Sequence, residues 1–146
     1  MYANDGFREL GREECLRLLA TAPVGRVVHT RSALPAVLPV NFSLDDDGAV
    51  VLRTSAGSEL ARAVDGAVVA FEADEVDPIA HSGWSVVVTG RATVVADPAE
   101  HDRLTRDGPL SWAPSRQELF VRIEPELVTG RELAGGRTLY RLDLTG

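Results

Sequence analysis

At 146 residues and a formal net charge of −7, the chain fits one domain that buries roughly 68 to 70 per cent of its unfolded surface, enough for an independent core. Acidic residues are spread along it, not gathered in a tail, which argues against a broad surface for the phosphate backbone of DNA or RNA. Cys15 is the only cysteine, which excludes an internal disulfide, and its neighbours Leu16, Leu18 and Leu19 predict a buried thiol on a helix. Met1 to Gly6 lacks a basic region followed by an apolar run, and no uninterrupted apolar stretch reaches membrane-spanning length. A soluble, cytoplasmic protein is expected.

The first predicted element is a helix over about 12–20, with Glu13 and Glu14 favouring its first turn and Pro23 just beyond its end. Arg26 to Thr30 and Ala36 to Leu44 read as hairpin strands flanking Arg31-Ser32-Ala33-Leu34, and Asp45-Asp46-Asp47-Gly48 closes the second as a solvated turn. Ala49 to Thr54 is a third strand, a short helix over about 59–65 follows, and Ala67 to Ala73 is a fourth. The run Trp84 to Ala96 is long for one strand, and Gly90 at its middle predicts a bulge or bend that lets a sheet curl. A helix over Pro98 to Arg106 has Asp97 as its cap and Pro98 at its first position. Asp107 to Arg116, with two prolines, Gly108 and Trp112, reads as an irregular loop. Strands at Leu119 to Ile123 and Thr138 to Leu144 follow, their connection punctuated by Gly130, Gly135 and Gly136. Six or seven β-runs at hairpin spacing, with only short helices, predict a mainly β fold of one domain, a six-stranded antiparallel barrel.

The segment from Arg53 to Ala63, Arg-Thr-Ser-Ala-Gly-Ser-Glu-Leu-Ala-Arg-Ala, has the chemistry to hold a phosphate. A strand gives way there to a hydroxyl-rich turn and a helix, whose first-turn amides point outward with the positive end of the peptide dipoles. Thr54, Ser55 and Ser58 add hydroxyl donors, Gly57 admits close approach, and Arg53 offers a forked cation. The bland reading of Ser58 is an ordinary helix cap. His29, His81 and His101 lie far apart without partners at metal-ligand spacing, so no metal site is expected. Glu72, Asp74, Glu75 and Asp77 read as an exposed rim, and no Gly-x-Ser-x-Gly elbow supports hydrolase chemistry.

Pro39-Val40-Asn41-Phe42, Leu52-Arg53-Thr54 with Gly57-Ser58, Phe71-Glu72 with Asp74, and Gly83-Trp84-Ser85-Val86-Val87-Val88 with Gly90-Arg91-Ala92 occur in one order. In that order and spacing they resemble the pyridoxamine 5'-phosphate oxidase-like flavin-binding proteins, nearest the branch that includes the nitroimidazole-resistance reductases. The resemblance implies a split β-barrel and a homodimer with flavin mononucleotide (FMN) in each of two clefts between subunits. It places Val40, Asn41 and Phe42 along the flavin ring, Arg53, Thr54 and Ser58 at the phosphate, and Trp84 and Ser85 on a strand that approaches the flavin. Strand packing is the alternative for Asn41 and Phe42, and interface or core filling for Trp84.

One position departs from the family pattern. Relatives commonly carry Lys after the Gly-Ser pair, whereas Glu59 puts an anion there, and the loss of such a charge-assisted contact costs about 1.5 to 3 kcal/mol. Arg62, one turn on, is placed to neutralise Glu59 or to reach the phosphate. What the resemblance implies is an FMN-dependent oxidoreductase acting on a small molecule, with a reduced nicotinamide or another flavin as electron source. A deazaflavin is an alternative cofactor and haem another. A second reading is a non-catalytic dimeric carrier of a flavin or another phosphate-bearing molecule, and a third a cofactor-free dimer. Oxidation of pyridoxamine phosphate is not expected, because its substrate-binding residues are not apparent in Arg122 to Leu133.

Overall fold

The structure, a computed structural model, describes residues 6–112 and 117–134. In chain order its elements are β1 (Phe7–Glu9), α1 (Arg12–Leu19), β2 (Gly25–Arg31), β3 (Leu34–Val40), β4 (Phe42–Leu44), β5 (Val50–Ser55), α2 (Glu59–Val64), β6 (Val68–Asp77), β7 (Ser82–Val94), α3 (Pro98–Asp107), β8 (Glu118–Ile123) and β9 (Leu127–Ala134). Every strand pairing among the described residues is antiparallel. Among the described residues no helix is long and apolar enough to cross a membrane.

The mainly β, antiparallel fold is as the sequence predicts, but the strand count is not: the described residues form nine strands instead of six. Three local causes account for the difference. The run Ala36 to Leu44 breaks at Asn41 into β3 and β4, which pair with different partners, β2 and β5. Phe7–Glu9 forms a short strand that, among the described residues, pairs with β9 alone. The stretch read as a glycine-punctuated connection is β9 itself, and Gly130 is there for closeness: a β-carbon would stand 2.7 Å from Cys15 Sγ and 2.9 Å from the Ser85 carbonyl oxygen. The expected strand Thr138 to Leu144 lies outside the described residues.

β7 organises the barrel. It pairs with β6 along ten consecutive residues, Ser82 to Arg91. On its other edge it pairs with β9 from Ser82 to Thr89 and with β8 from Ala92 to Val94. The bend expected at Gly90 is therefore not a bulge against β6, since Val69 and Ala70 face Gly90 and Thr89 in unbroken register. Gly90 is the point where β7 changes partners, and a β-carbon there would collide with the carbonyl oxygen of Glu124. From this branch the strand order runs β3-β2-β6-β7-β8-β5-β4.

The interior of the curl is apolar. Val27, Val50, Leu52, Phe71, Val86, Val88, Val121 and Ile123 are fully buried in one cluster, to which α1 adds Cys15 and Leu19 and α2 adds Leu60 and Val64. α3 packs elsewhere, with Leu104 against Val51 and Phe120 on the other face of β5 and β8. Asp45 is not a solvated turn residue. Burial would raise its pKa, but hydrogen bonds from Arg103 and Arg122 bring it below the ordinary range, tying the β4–β5 turn to α3 and β8.

The opposite face of the β2-β6-β7-β9 sheet carries Val28, Ala70, Val87 and Thr89, only partly buried, with Val37 and Val68 exposed beside them. Glu72 lies in this face and is no free rim residue. It sits 3.2 Å from Arg26, and burial followed by its hydrogen bond with Asp74 holds its carboxyl up at about 7. The face therefore carries less charge near neutrality than its residues suggest.

Gly90→Ala is expected to destabilise the fold by about 1–3 kcal/mol, since a methyl has no room beside Glu124. Urea unfolding of the two proteins measures it, and an unchanged midpoint would refute the close approach.

Candidate functional site

β3 and β4 follow one another in sequence yet stand at opposite ends of the strand order. Pro35 and Pro39 lack the N–H that a central strand needs, which suits β3 to an edge, and β4 is only three residues long. The chain crosses between them at Asn41, and the barrel stays open there. That opening is a cavity of about 470 Å³ lined by Val24, Pro39, Val40, Asn41, Arg53, Thr54, Ser55, Ser111, Trp112 and Glu118.

Five of the residues singled out from the sequence meet in this cavity: Val40, Asn41, Arg53, Thr54 and Ser55. Two of them position its far wall. The Asn41 side chain donates to the Leu110 carbonyl, and Arg53 Nη1 donates to the Pro109 carbonyl at 3.2 Å, so the loop after α3 is held over the cleft. Trp112 and Leu110 project from that loop with 68% and 76% of their surface exposed. Thr54 Oγ1 donates to Ser58 Oγ at 2.9 Å. The Ser55 hydroxyl has no partner among the described residues.

Arg53 is not a free cation. Its Nε and Nη2 both face the Glu118 carboxylate, and its guanidinium carbon stands 5.3 Å from the centroid of the Phe120 ring. The pair is largely out of water, with side chains only 16% and 14% exposed. Strand register explains the meeting, because Ser55 faces Glu118 and Arg53 faces Phe120 across β5 and β8.

The other six candidate residues lie elsewhere. Ser58 Oγ accepts from the Ala61 amide at 3.2 Å, the capping role, on a helix of only six residues. Glu59 pairs with Arg31 of β2 at 2.8 Å, both side chains more than half exposed, so Arg31 and not Arg62 balances it. Arg62 is exposed and outside the cavity. The Phe42 ring packs edge-on against Phe71 with centroids 4.6 Å apart, which is strand packing. Trp84 and Ser85 line a separate depression of about 240 Å³ with Phe7, Val76, Gly83 and Arg131. Arg131 lies over the Phe7 ring at 4.1 Å.

The three histidines stay apart. His29 is buried on β2 with Nδ1 unpartnered, and desolvation lowers its pKa. His101 Nε2 lies 3.0 Å from the Glu118 carbonyl oxygen, and His81 sits exposed in the β6–β7 turn at a φ of 54°. Among the described residues no group of three or more His, Cys, Asp or Glu is arranged to hold a metal ion.

Sequence reasoning missed Glu118, Ser111 and Trp112. The irregular loop expected over 107–116 is seen at its described residues 108–112, and the tryptophan there, near Gly108 and Pro109, was the available signal for the cavity wall. Nothing near Glu118 in sequence points to Arg53, 65 residues away.

Comparison with known proteins gives the chain its relatives. Over 139 residues it is 48% identical to Rv0080, an uncharacterised protein of Mycobacterium tuberculosis, covering 89% of this chain and 88% of that one. A solved FAD binding protein from Mycobacterium smegmatis is 34% identical with a TM-score of 0.74, covering 86% of this chain and 99% of that one. An FAD-binding protein from Mesorhizobium loti is 28% identical with a TM-score of 0.71, covering 88% and 99%. The family model described as pyridoxamine 5'-phosphate oxidase matches residues 11–132, and the chain belongs to that family.

Proposed function

We propose that this protein binds a flavin nucleotide, FMN or FAD, in the cleft between β3, β5 and the loop after α3, and works as a flavin-dependent oxidoreductase. The observation that carries the reading is the convergence of Arg53, Thr54 and Ser55 at the end of β5 with the unpaired crossing at Asn41, in one cavity. Its volume of about 470 Å³ lies within the ordinary range for small-molecule sites, roughly 300–1,000 Å³. The donor set fits as well. The Ser55 hydroxyl and the unused N–H groups of Arg53 suit phosphate oxygens, while Val40, Pro39 and the exposed Trp112 offer apolar surface to a ring. Two solved relatives are FAD-binding proteins, which supports a flavin as the ligand class.

Held in the cleft by Arg53 and Ser55, a flavin would supply the two-electron redox chemistry, with a reduced nicotinamide as the proposed donor and a small molecule as the proposed acceptor. The chain's own part is to hold and shield. Arg53 and the Ser55 hydroxyl anchor the nucleotide, Asn41 and Arg53 fix the covering loop, and Trp112 limits water. A second reading, a flavin carrier, is favoured by one observation: the ionisable side chains of the cavity, Arg53 and Glu118, are paired with each other, which leaves neither placed to move a proton.

The protein is further proposed to act as a homodimer through the open sheet face around Val28, Val37, Ala70 and Val87. Part-buried Val28, Ala70 and Val87 and exposed Val37, on a broad sheet with no described helix over them, suit a second copy.

In a titration followed by fluorescence quenching, Arg53→Ala and Ser55→Ala are expected to weaken flavin nucleotide binding about tenfold each, the usual size for a lost charge-assisted contact. Unchanged affinity in both would sink the assignment of the cleft. Bleaching of the bound flavin by a nicotinamide and reoxidation by an acceptor separates the enzyme from the carrier. Sedimentation equilibrium of Val28→Glu is expected to show monomers where the parent shows dimers, and a monomeric parent would rule out the dimer.

A further inference from the structure

The sheet face that no described helix covers carries more acid than its cations balance. Along β6 the side chains alternate, Val69, Phe71 and Ala73 into the core and Val68, Ala70, Glu72 and Asp74 outward. Register then sets their neighbours. Arg26, Glu72, Val87 and Thr129 form one row across β2, β6, β7 and β9, and Val28, Ala70, Thr89 and Leu127 form the next. Two carboxyls therefore stand side by side in an aliphatic surround with one cation, Arg26, whose Nη1 lies 3.2 Å from Glu72 and 3.5 Å from Asp74. From β7 the pair faces Val87 and Ser85, which carry no charge. On β9, Arg131 stands in register with Ser85, but its guanidinium lies over the Phe7 ring, and Glu9 of β1 is opposite it. Arg91, further along β7, donates to the Gly66 carbonyl. Among the described residues no second cation reaches the carboxyls, and a proton takes its place: burial, then the hydrogen bond with Asp74, holds Glu72 up at about 7.

We infer that two copies of this chain meet through this face with a proton held between Glu72 and Asp74 of each, so that association is favoured by acid and weakens as pH rises. The inference rests on the dimer reading of the face and adds its regulation. Ionised, each carboxyl pair outweighs its arginine by one negative charge, which a face-to-face contact would have to take out of water uncompensated. With one proton the cluster is neutral, and two such faces do not repel. A cationic partner would hold the pair ionised, whereas the aliphatic surround of Val28, Ala70 and Val87 favours the protonated form. That suits a second copy of the same face, in a chain whose net charge of −7 otherwise keeps copies apart. The sign follows from linkage. Below about 7 the separate protomer already carries the proton and association is unopposed; above it each protomer takes one up on binding, and the contact loosens.

Sedimentation equilibrium of the parent across pH, at constant ionic strength, reads the dimer dissociation constant. From about pH 6 to about pH 8 that constant should rise about tenfold or more, the limit being about tenfold per protomer for each pH unit above the midpoint. Glu72→Gln, which stays neutral, should dimerise with a constant that moves no more than about threefold over the same range. Asp74→Asn leaves Glu72 to Arg26 alone, a pair that is neutral when ionised, and should likewise flatten the profile. A parent that is monomeric at every pH removes the dimer reading of this face and the inference with it. A parent dimer whose constant is independent of pH, or that tightens as pH rises, overturns the inference and leaves the dimer standing. Equal slopes in the parent and in Glu72→Gln place the proton on another group and overturn it too.

Discussion

The barrel is open because its two terminal strands have nothing to offer each other. β3 carries Pro35 and Pro39, β4 is three residues long, and the single residue between them, Asn41, spends its side chain on the Leu110 carbonyl. An unpaired strand edge normally invites another chain. Here the edge becomes one wall of a cavity, and the loop after α3 becomes the other. The position of the opening is in turn fixed by β7, which hands its free edge from β9 to β8 at Gly90, where only a hydrogen fits beside the Glu124 carbonyl. Close packing at one glycine and missing donors at two prolines thus determine where the protein has a site at all.

Much of this was legible from local sequence. The hydrophobic runs Arg26 to Thr30, Ala49 to Thr54 and Leu119 to Ile123 are strands close to where they were expected, and Arg53-Thr54-Ser55 does line the cavity. What failed was what depends on distant partners. β9 carries Gly130 because α1 brings Cys15 against it, and no local pattern reveals that. Glu118 reaches Arg53 only through the register of β5 on β8. The helix after Gly57 looked like the anion site because amides and hydroxyls gather there, yet Ser58 caps its own helix and Glu59 turns to Arg31. The anion-seeking groups that face the cavity come from the strand, two to five residues earlier.

The electrostatics of the cleft differ from those of a simple phosphate cradle. A lone buried arginine would bind any anion, at the cost of remaining unpaired when the site is empty. Pairing Arg53 with Glu118 relieves that cost in the free protein and makes binding an exchange or a sharing of partners. The same pair braces the loop through Pro109, so the shape of the cleft and its charge are set by one guanidinium. Under the proposed reading the cavity would contribute anchoring more than acid or base chemistry, which is what a cofactor that carries its own electron chemistry asks of a protein.

The most direct test of the account is where a flavin nucleotide touches the chain, read from backbone amide NMR shifts as FAD is added to the labelled protein. The account predicts that the largest changes fall at Val40, Asn41, Thr54, Ser55 and Trp112, around the opening between β3 and β5. Saturation with those amides unmoved, and shifts confined to another part of the sheet, would contradict it.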